Sequence, residues 1–303
     1  MPYAAAMPTK NLDRFRIDPN ENFVLKNHDP AWAGGVFADL EKDDIKPKAR
    51  EYLADRLKEL EAAQEVLWAS NTHSVLVILQ AMDAAGKDGV IEHVTHGLNP
   101  QGCEVHSFKQ PSTEELDHTF LWRAMKVLPS RGSITIFNRS YYEDVLVVKV
   151  HPEWLEKASL PPGPRGEQFW KSRYDDINAL EKHLTNSGTM VLKFFLNVSK
   201  AEQRTRFLAR LDEPEKHWKF SAADVAERRH WDAYMDAYQQ AINATSTRWA
   251  PWYVVPADHK WITRCVVAEV LASRIRDLNL EYPKVSAEQN RLLTQAREQL
   301  IDE

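Results

Sequence analysis

One stretch constrains this chain more than any other: Val75-Leu76-Val77-Ile78-Leu79 leads within two residues into Ala81-Met82-Asp83-Ala84-Ala85-Gly86-Lys87-Asp88-Gly89. An apolar run of that length, without alternation, suits a strand buried on both faces of a parallel sheet. A tight turn with Gly-Lys after such a strand, opening a helix, has the order of a phosphate-binding loop. Backbone N–H groups and the helix N-terminus would face the phosphates, and Lys87 adds a point charge. Glycine use agrees: the chain has 10, and Gly86, Gly89, Gly97 and Gly102 fall within 17 residues.

Two positions depart from the usual loop. Ala81 replaces its first glycine, and Asp88 replaces the Ser/Thr hydroxyl that would hold Mg²⁺. Asp83 is also unusual there, because a carboxylate repels phosphate. It fits if it binds a Mg²⁺ that bridges to the phosphates; the plainer alternative is an Asp that caps the turn.

Further short strands are expected at 104–108, 133–137, 190–196 and 252–255, each followed by a helical or turn-plus-helix pattern. Strands alternating with helices argue an α/β domain with a parallel five-stranded sheet. Helices are expected over 47–68, 166–187, 200–211, 222–247 and 259–279. Residues 1–45 read as an extended arm with turns at Asp18-Pro19, Asp29-Pro30 and Gly34-Gly35. Residues 285–303, with Leu292, Leu293, Ala296 and Leu300, suggest one last amphipathic helix.

The strand expected at 133–137 ends in Phe137-Asn138-Arg139-Ser140-Tyr141-Tyr142-Glu143. In phosphate-loop proteins this strand end faces the bound phosphates. Arg139 could clamp a phosphate bidentately and Glu143 could reach a metal. Ser140 and Glu143 also have capping-box spacing, which would fix how Arg139 is presented.

Charge narrows the choice of ligand. The chain carries 39 Lys and Arg against 44 Asp and Glu, a net charge of −5. A generally basic surface for nucleic acid is therefore not expected, and a bound polyanion must meet locally clustered cations. Such a cluster runs from Lys193 to His230, where Arg206 and Arg210 share one helix face and suit a lid over phosphoryl groups. Cys103 and Cys265 stand alone, which excludes a cysteine-ligated zinc. The first 20 residues contain no signal-like apolar run, and a cytoplasmic protein without a membrane segment is expected.

In this order, the motifs give a chain that resembles a family-2 polyphosphate kinase from about residue 30 to residue 280. The resemblance rests on AMDAAGKDG (81–89), NPQGCEVHSFKQPSTEELDHTFLWR (99–123), FNRSYYEDVLV (137–147) and the stretch 198–238. It implies a P-loop kinase fold similar to thymidylate kinase, with residues 46–284 as the kinase domain and a helical lid at about 198–235. The implied reaction is reversible phosphoryl transfer between inorganic polyphosphate and nucleotides with Mg²⁺, for which Mn²⁺ can substitute. AMP, ADP and ATP are the expected nucleotides, with GMP and GDP alongside, and a homo-oligomer (dimer or tetramer) is expected.

By motif, Asp83, Lys87, Arg139, Arg206 and Arg210 carry the transfer. Ala84, Ala85, Gly86, Asp88, Gly89, Lys109, Arg123 and Asn138 hold phosphate or nucleotide, and Asp83 and Glu143 hold metal. Asn138 stands where many members carry Asp, in a form that resembles the subgroup using AMP as well as ADP. An ATP-dependent nucleoside-monophosphate kinase of the same fold is the alternative, disfavoured by Asp88; a non-catalytic nucleotide sensor would need fewer of these residues.

Overall fold

Six strands form one sheet: β1 (Arg16–Ile17), β2 (Ser74–Ala81), β3 (Cys103–Ser107), β4 (Ile134–Asn138), β5 (Thr189–Asn197) and β6 (Trp252–Pro256). Their order is β1-β6-β5-β2-β4-β3. All pairings are parallel except β1 with β6. The computed structural model describes residues 12–19, 21–34, 42–158, 160–219 and 221–303. Parts of the expected arm, including Gly35, lie outside the described residues.

The apolar run Val75–Leu79 lies in β2, and every residue of that strand is buried. It lies between β4 and β5, and the principal helices are α1 (Lys42–Ser70), α2 (Lys87–Val94), α3 (Glu167–Asn186), α4 (Lys200–Asp212), α5 (Ala222–Glu227), α6 (Trp231–Thr245) and α7 (Lys260–Arg276). A last helix, α8 (Ala287–Ile301), is exposed along its length.

Two expectations need correction. The sheet is mixed and six-stranded, because the arm contributes β1, paired antiparallel as Arg16 with Tyr253 and Ile17 with Trp252. A two-residue strand shows no periodicity in sequence. Side-chain bonds far along the chain hold the arm: Asn243 pairs both backbone groups of Phe23 at 2.9 Å, and Gln239 accepts from Leu25 N–H at 2.9 Å. The helix expected over 222–247 is broken into α5 and α6 by a 3-10 turn at Arg228–His230. Its flanks are tied to different places: Glu227 accepts from Tyr234 (2.8 Å) and meets His151 (2.9 Å), while Arg228 reaches Lys200 O (3.1 Å).

A charged pair lies in the core beneath the sheet's functional end. Lys193 on β5 and Glu181 on α3 are fully buried, with Nζ 2.6 Å from Oε2. Glu181 Oε1 also accepts from Tyr141 (3.0 Å) and Tyr142 (2.8 Å), and Lys193 donates to Thr245 O at 2.7 Å. Burial pushes the Glu181 carboxyl up and the Lys193 ammonium down, and their attraction opposes both. Removing one partner strands the other, so Lys193→Met is expected to cost about 3–5 kcal/mol in denaturant unfolding. Adding Glu181→Gln should recover much of that loss; equal stability of wild type and Lys193→Met would show the pair contributes nothing.

Candidate active site

Strand register brings the sequence motifs to one end of the sheet. Leu79 of β2 pairs with Asn138 of β4, and Asn138 pairs with Ser107 of β3. The segments after these strands, at 82–89, 108–110 and 139–143, therefore emerge side by side. This is the carboxyl edge where open parallel sheets bind ligands.

The loop after β2 turns through two left-handed residues, Ala84 (φ 59°) and Gly86 (φ 109°). Glycine suits the second, which sits just before α2. Lys87 folds back over the loop, its Nζ 2.9 Å from Ala81 O and 3.4 Å from Met82 O. Burial, with help from the Arg139 charge, lowers its pKa to about 8. Asp88, in place of the usual hydroxyl residue, accepts at Oδ1 from Asn138 Nδ2 at 2.9 Å.

Arg139 is the third left-handed residue of the site, at φ 64°. Such a backbone costs on the order of 1–3 kcal/mol outside glycine and persists only where neighbours hold it. Here its N–H bonds Leu79 O at 3.0 Å, and Tyr141 and Tyr142 are anchored on Glu181. Ser140 Oγ caps the following turn by accepting from Tyr142 N at 3.1 Å. The guanidinium bridges two carboxylates, Asp83 Oδ1 at 2.5 Å and Glu143 Oε2 at 3.1 Å. These carboxylates hold its pKa above the ordinary arginine value.

Two cavities meet at Arg139. The larger, about 790 Å³, lies over the loop. Its cations are Lys87, Lys109, Arg139, Arg206, Arg210, Lys260 and Arg264, against Asp83, Asp88, Glu92, Glu213 and Asp224. Seven against five makes it locally basic in an acidic chain. The smaller, about 260 Å³, adds an apolar wall of Val147, Val148, Trp154 and Leu155 to Arg123, Arg173, Asp144 and Glu143. Phe108, Lys109, Gln110 and Arg139 line both. Burial raises the Asp144 carboxyl to about 6, although Arg173 beside it opposes the rise.

The residues singled out from sequence thus gather here, with different parts. Asp83, Ala84, Ala85, Gly86, Lys87, Asp88, Gly89, Lys109, Asn138, Arg139 and Arg210 line the larger cavity, and Arg123 and Glu143 the smaller. Arg123 donates to Lys109 O at 2.8 Å and lies over Phe108. Glu143 does not complete a capping box; it is turned to Arg139. Arg206 and Arg210 both line the larger cavity but differ in what holds them. Arg206 is 8% exposed, and all five of its N–H groups are engaged. They reach Ala84 O (3.0 Å), Ala85 O (2.7 Å), Ala257 O (2.6 Å), Asp258 O (3.0 Å) and Glu202 (2.8 Å).

The sequence motifs assign no role to Lys260, Arg264, Asp144 or Arg173. Lys260 and Arg264 share a face of α7 at i, i+4, a spacing that could have singled them out. Nothing in the local sequence marks Arg173, which is held between Phe120 and Phe169, its guanidinium 4.7 and 4.9 Å from the two rings.

The family model described as Polyphosphate kinase 2 matches residues 43–283. The ADP-polyphosphate phosphotransferase of Rhodopseudomonas palustris is 53% identical, over 85% of this chain and 90% of its own length. The AMP/ADP-polyphosphate phosphotransferase of Meiothermus ruber is 44% identical, over 90% of this chain and 96% of its own. Among solved structures, polyphosphate kinase 2 from Arthrobacter aurescens TC1 superposes with a TM-score of 0.83 at 38% identity, covering 97% of this chain and 100% of that one. With the phosphate loop, the Arg139 bridge and the matching whole-chain fold, this chain belongs to the polyphosphate kinase 2 family.

Proposed function

We propose that this chain transfers the terminal phosphoryl group of inorganic polyphosphate to nucleotides, ADP to ATP and AMP to ADP, reversibly and with a divalent metal. GDP and GMP have the same acceptor phosphate chemistry and belong to the proposal. The observation that carries it is the position of Arg139 where the two cavities meet. The basic cavity over the loop suits a polyphosphate chain, and the smaller one, apolar on one wall and cationic on the other, suits a nucleotide. Their junction is then where donor and acceptor phosphates meet. The Rhodopseudomonas and Meiothermus relatives, an ADP-polyphosphate and an AMP/ADP-polyphosphate phosphotransferase, support the same pairing of polyphosphate with nucleotide.

A nucleotide phosphate is already anionic near neutral pH, so this transfer needs no base to remove a proton. Alignment and charge neutralisation suffice. Loop N–H groups and Lys87 hold the donor phosphates, Arg139 neutralises charge at the transferred group, and Arg210 adds a cation from α4. The hard oxygen donors of Asp83 and Glu143 fit Mg²⁺ or Mn²⁺, which commonly takes one or two carboxylates together with phosphate oxygens and water. Among the described residues no group of three or more His, Cys, Asp or Glu could hold a metal. Substrate phosphates would therefore complete the shell, and the bound metal would shield phosphate charge.

Asn138 has a physical reason to be uncharged. An Asp there would set a second carboxylate against Asp88, which Asn138 now meets with a donor at 2.9 Å. Asn138→Asp is expected to lower AMP turnover relative to ADP, measured as initial rates with polyphosphate. An unchanged ratio would remove Asn138 from acceptor choice.

The function is tested by supplying purified protein with Mg²⁺ and polyphosphate, offering AMP and ADP separately, and separating products by chromatography. ADP and ATP formed from AMP support the whole proposal, and product from ADP alone restricts it to diphosphates. Phosphorylation of AMP by ATP, with none from polyphosphate, would instead make it an ATP-dependent kinase.

A further inference from the structure

Every carbonyl of the phosphate loop from Ala81 to Ala85 is occupied from within the protein. Lys87 takes those of Ala81 and Met82. The other three are taken by α4: Gln203 Nε2 donates to Asp83 O at 2.9 Å, and Arg206 Nη1 to Ala84 O at 3.0 Å and Ala85 O at 2.7 Å. In a trans peptide the N–H points away from its C=O. Carbonyls drawn toward α4 therefore leave the Ala84 and Gly86 N–H groups directed the other way, while Ala85 N–H closes the turn on Met82 O at 3.3 Å, and left-handed residues at 84 and 86 add the curvature of an anion-binding nest.

Gln203 has no part in the reaction described so far. It is 1% exposed, is absent from the walls of both cavities, and precedes Arg206 by three residues on the same helix face. Its amide orientation is set from the other side. Arg228, in the 3-10 turn after α5, donates to Oε1, which leaves Nε2 to the Asp83 carbonyl. The helix holding the lid arginines thus begins as the backing of the loop.

We infer that Gln203 is a positioning residue for phosphoryl transfer: oriented by Arg228 and acting with Arg206, it holds the loop's carbonyls on α4 so that the Ala84 and Gly86 N–H groups face bound phosphate. The kinetic consequence rests on the function proposed above; the structural consequence does not.

Gln203→Met keeps the volume and removes the donor. Gln203→Glu also removes the donor but still accepts from Arg228. Losing one buried hydrogen bond to the loop is expected to weaken tripolyphosphate binding about tenfold by calorimetry in each variant. kcat/KM for polyphosphate should fall at least as far, while KM for ADP stays within about twofold. Wild-type affinity and kcat in the folded variants, with only a lower melting temperature, would overturn the inference and leave Gln203 a packing residue. If Gln203→Met does not fold, Gln203→Glu carries the same comparison.

A crystal structure of the folded variant supplies the readout independent of activity. An Asp83 carbonyl turned away from α4 supports the inference, and a loop unchanged from wild type overturns it. Should wild-type protein bind no tripolyphosphate, the proposed function fails, and this structural readout still decides the role of Gln203.

Discussion

Arg139→Ala is expected to reduce kcat/KM for polyphosphate-driven ADP phosphorylation by about three orders of magnitude or more, the range for an arginine that neutralises a transferred phosphoryl group. The side chain stands where the two cavities meet and bridges Asp83 and Glu143. Under the proposed function, its loss removes the cation at the transferred group and leaves the Asp83 and Glu143 carboxylates without their shared partner. Arg139→Lys should recover no more than about tenfold, because an ammonium cannot span both carboxylates as the planar fork does. Circular dichroism and melting would establish that both variants are folded. A loss below tenfold in the alanine variant would place the transfer elsewhere in the cavity.

Lys87→Met is expected to cost at least about two orders of magnitude in rate, since the loop loses its only cationic side chain. Stability should not follow activity. Burial holds the Lys87 pKa near 8, so below that pH the ligand-free protein carries a charge that its surroundings disfavour. The penalty is present in full below about pH 8 and fades as pH rises toward the unfolded value near 10.5. At neutral pH the variant should therefore melt no lower than wild type, despite losing the bonds to Ala81 and Met82.

For activity the sign is opposite. Protonated Lys87 attracts phosphate, so kcat/KM for polyphosphate should decline as pH rises through about 8 in wild type. Lys87→Arg, charged throughout that range, should lack this decline at whatever rate it retains. Identical profiles for the two proteins, followed from pH 6 to 10, would separate the decline from Lys87.

The legible part of the site was local in the chain. The loop at 81–89 is announced by β2 immediately before it, and Arg139, Ser140 and Glu143 sit within five residues at the end of β4. Buried strands and loop glycines leave marks in sequence because their requirements are short-range: apolar side chains on both faces, and positive φ at a turn. The basic helix α4 was visible by its spacing, yet the different contacts of its arginines were not. Arg206 and Arg210 are alike on a helical wheel, but only the fold shows that the first is engaged on four carbonyls and Glu202.

What the chain's own order determined, then, was the β2-to-α2 phosphate loop, the α/β alternation and the residues at the end of β4. Tertiary structure alone decided the partners that hold them. β1 exists only because β6 is there to pair with it. The Lys193–Glu181 pair needs β5 and α3 side by side in a dry interior, and Gln203 meets Asp83 across 120 residues of chain. The physical reason is the direction of a hydrogen bond. Sequence can name a donor, but only the packed fold says which acceptor stands opposite it once water is excluded.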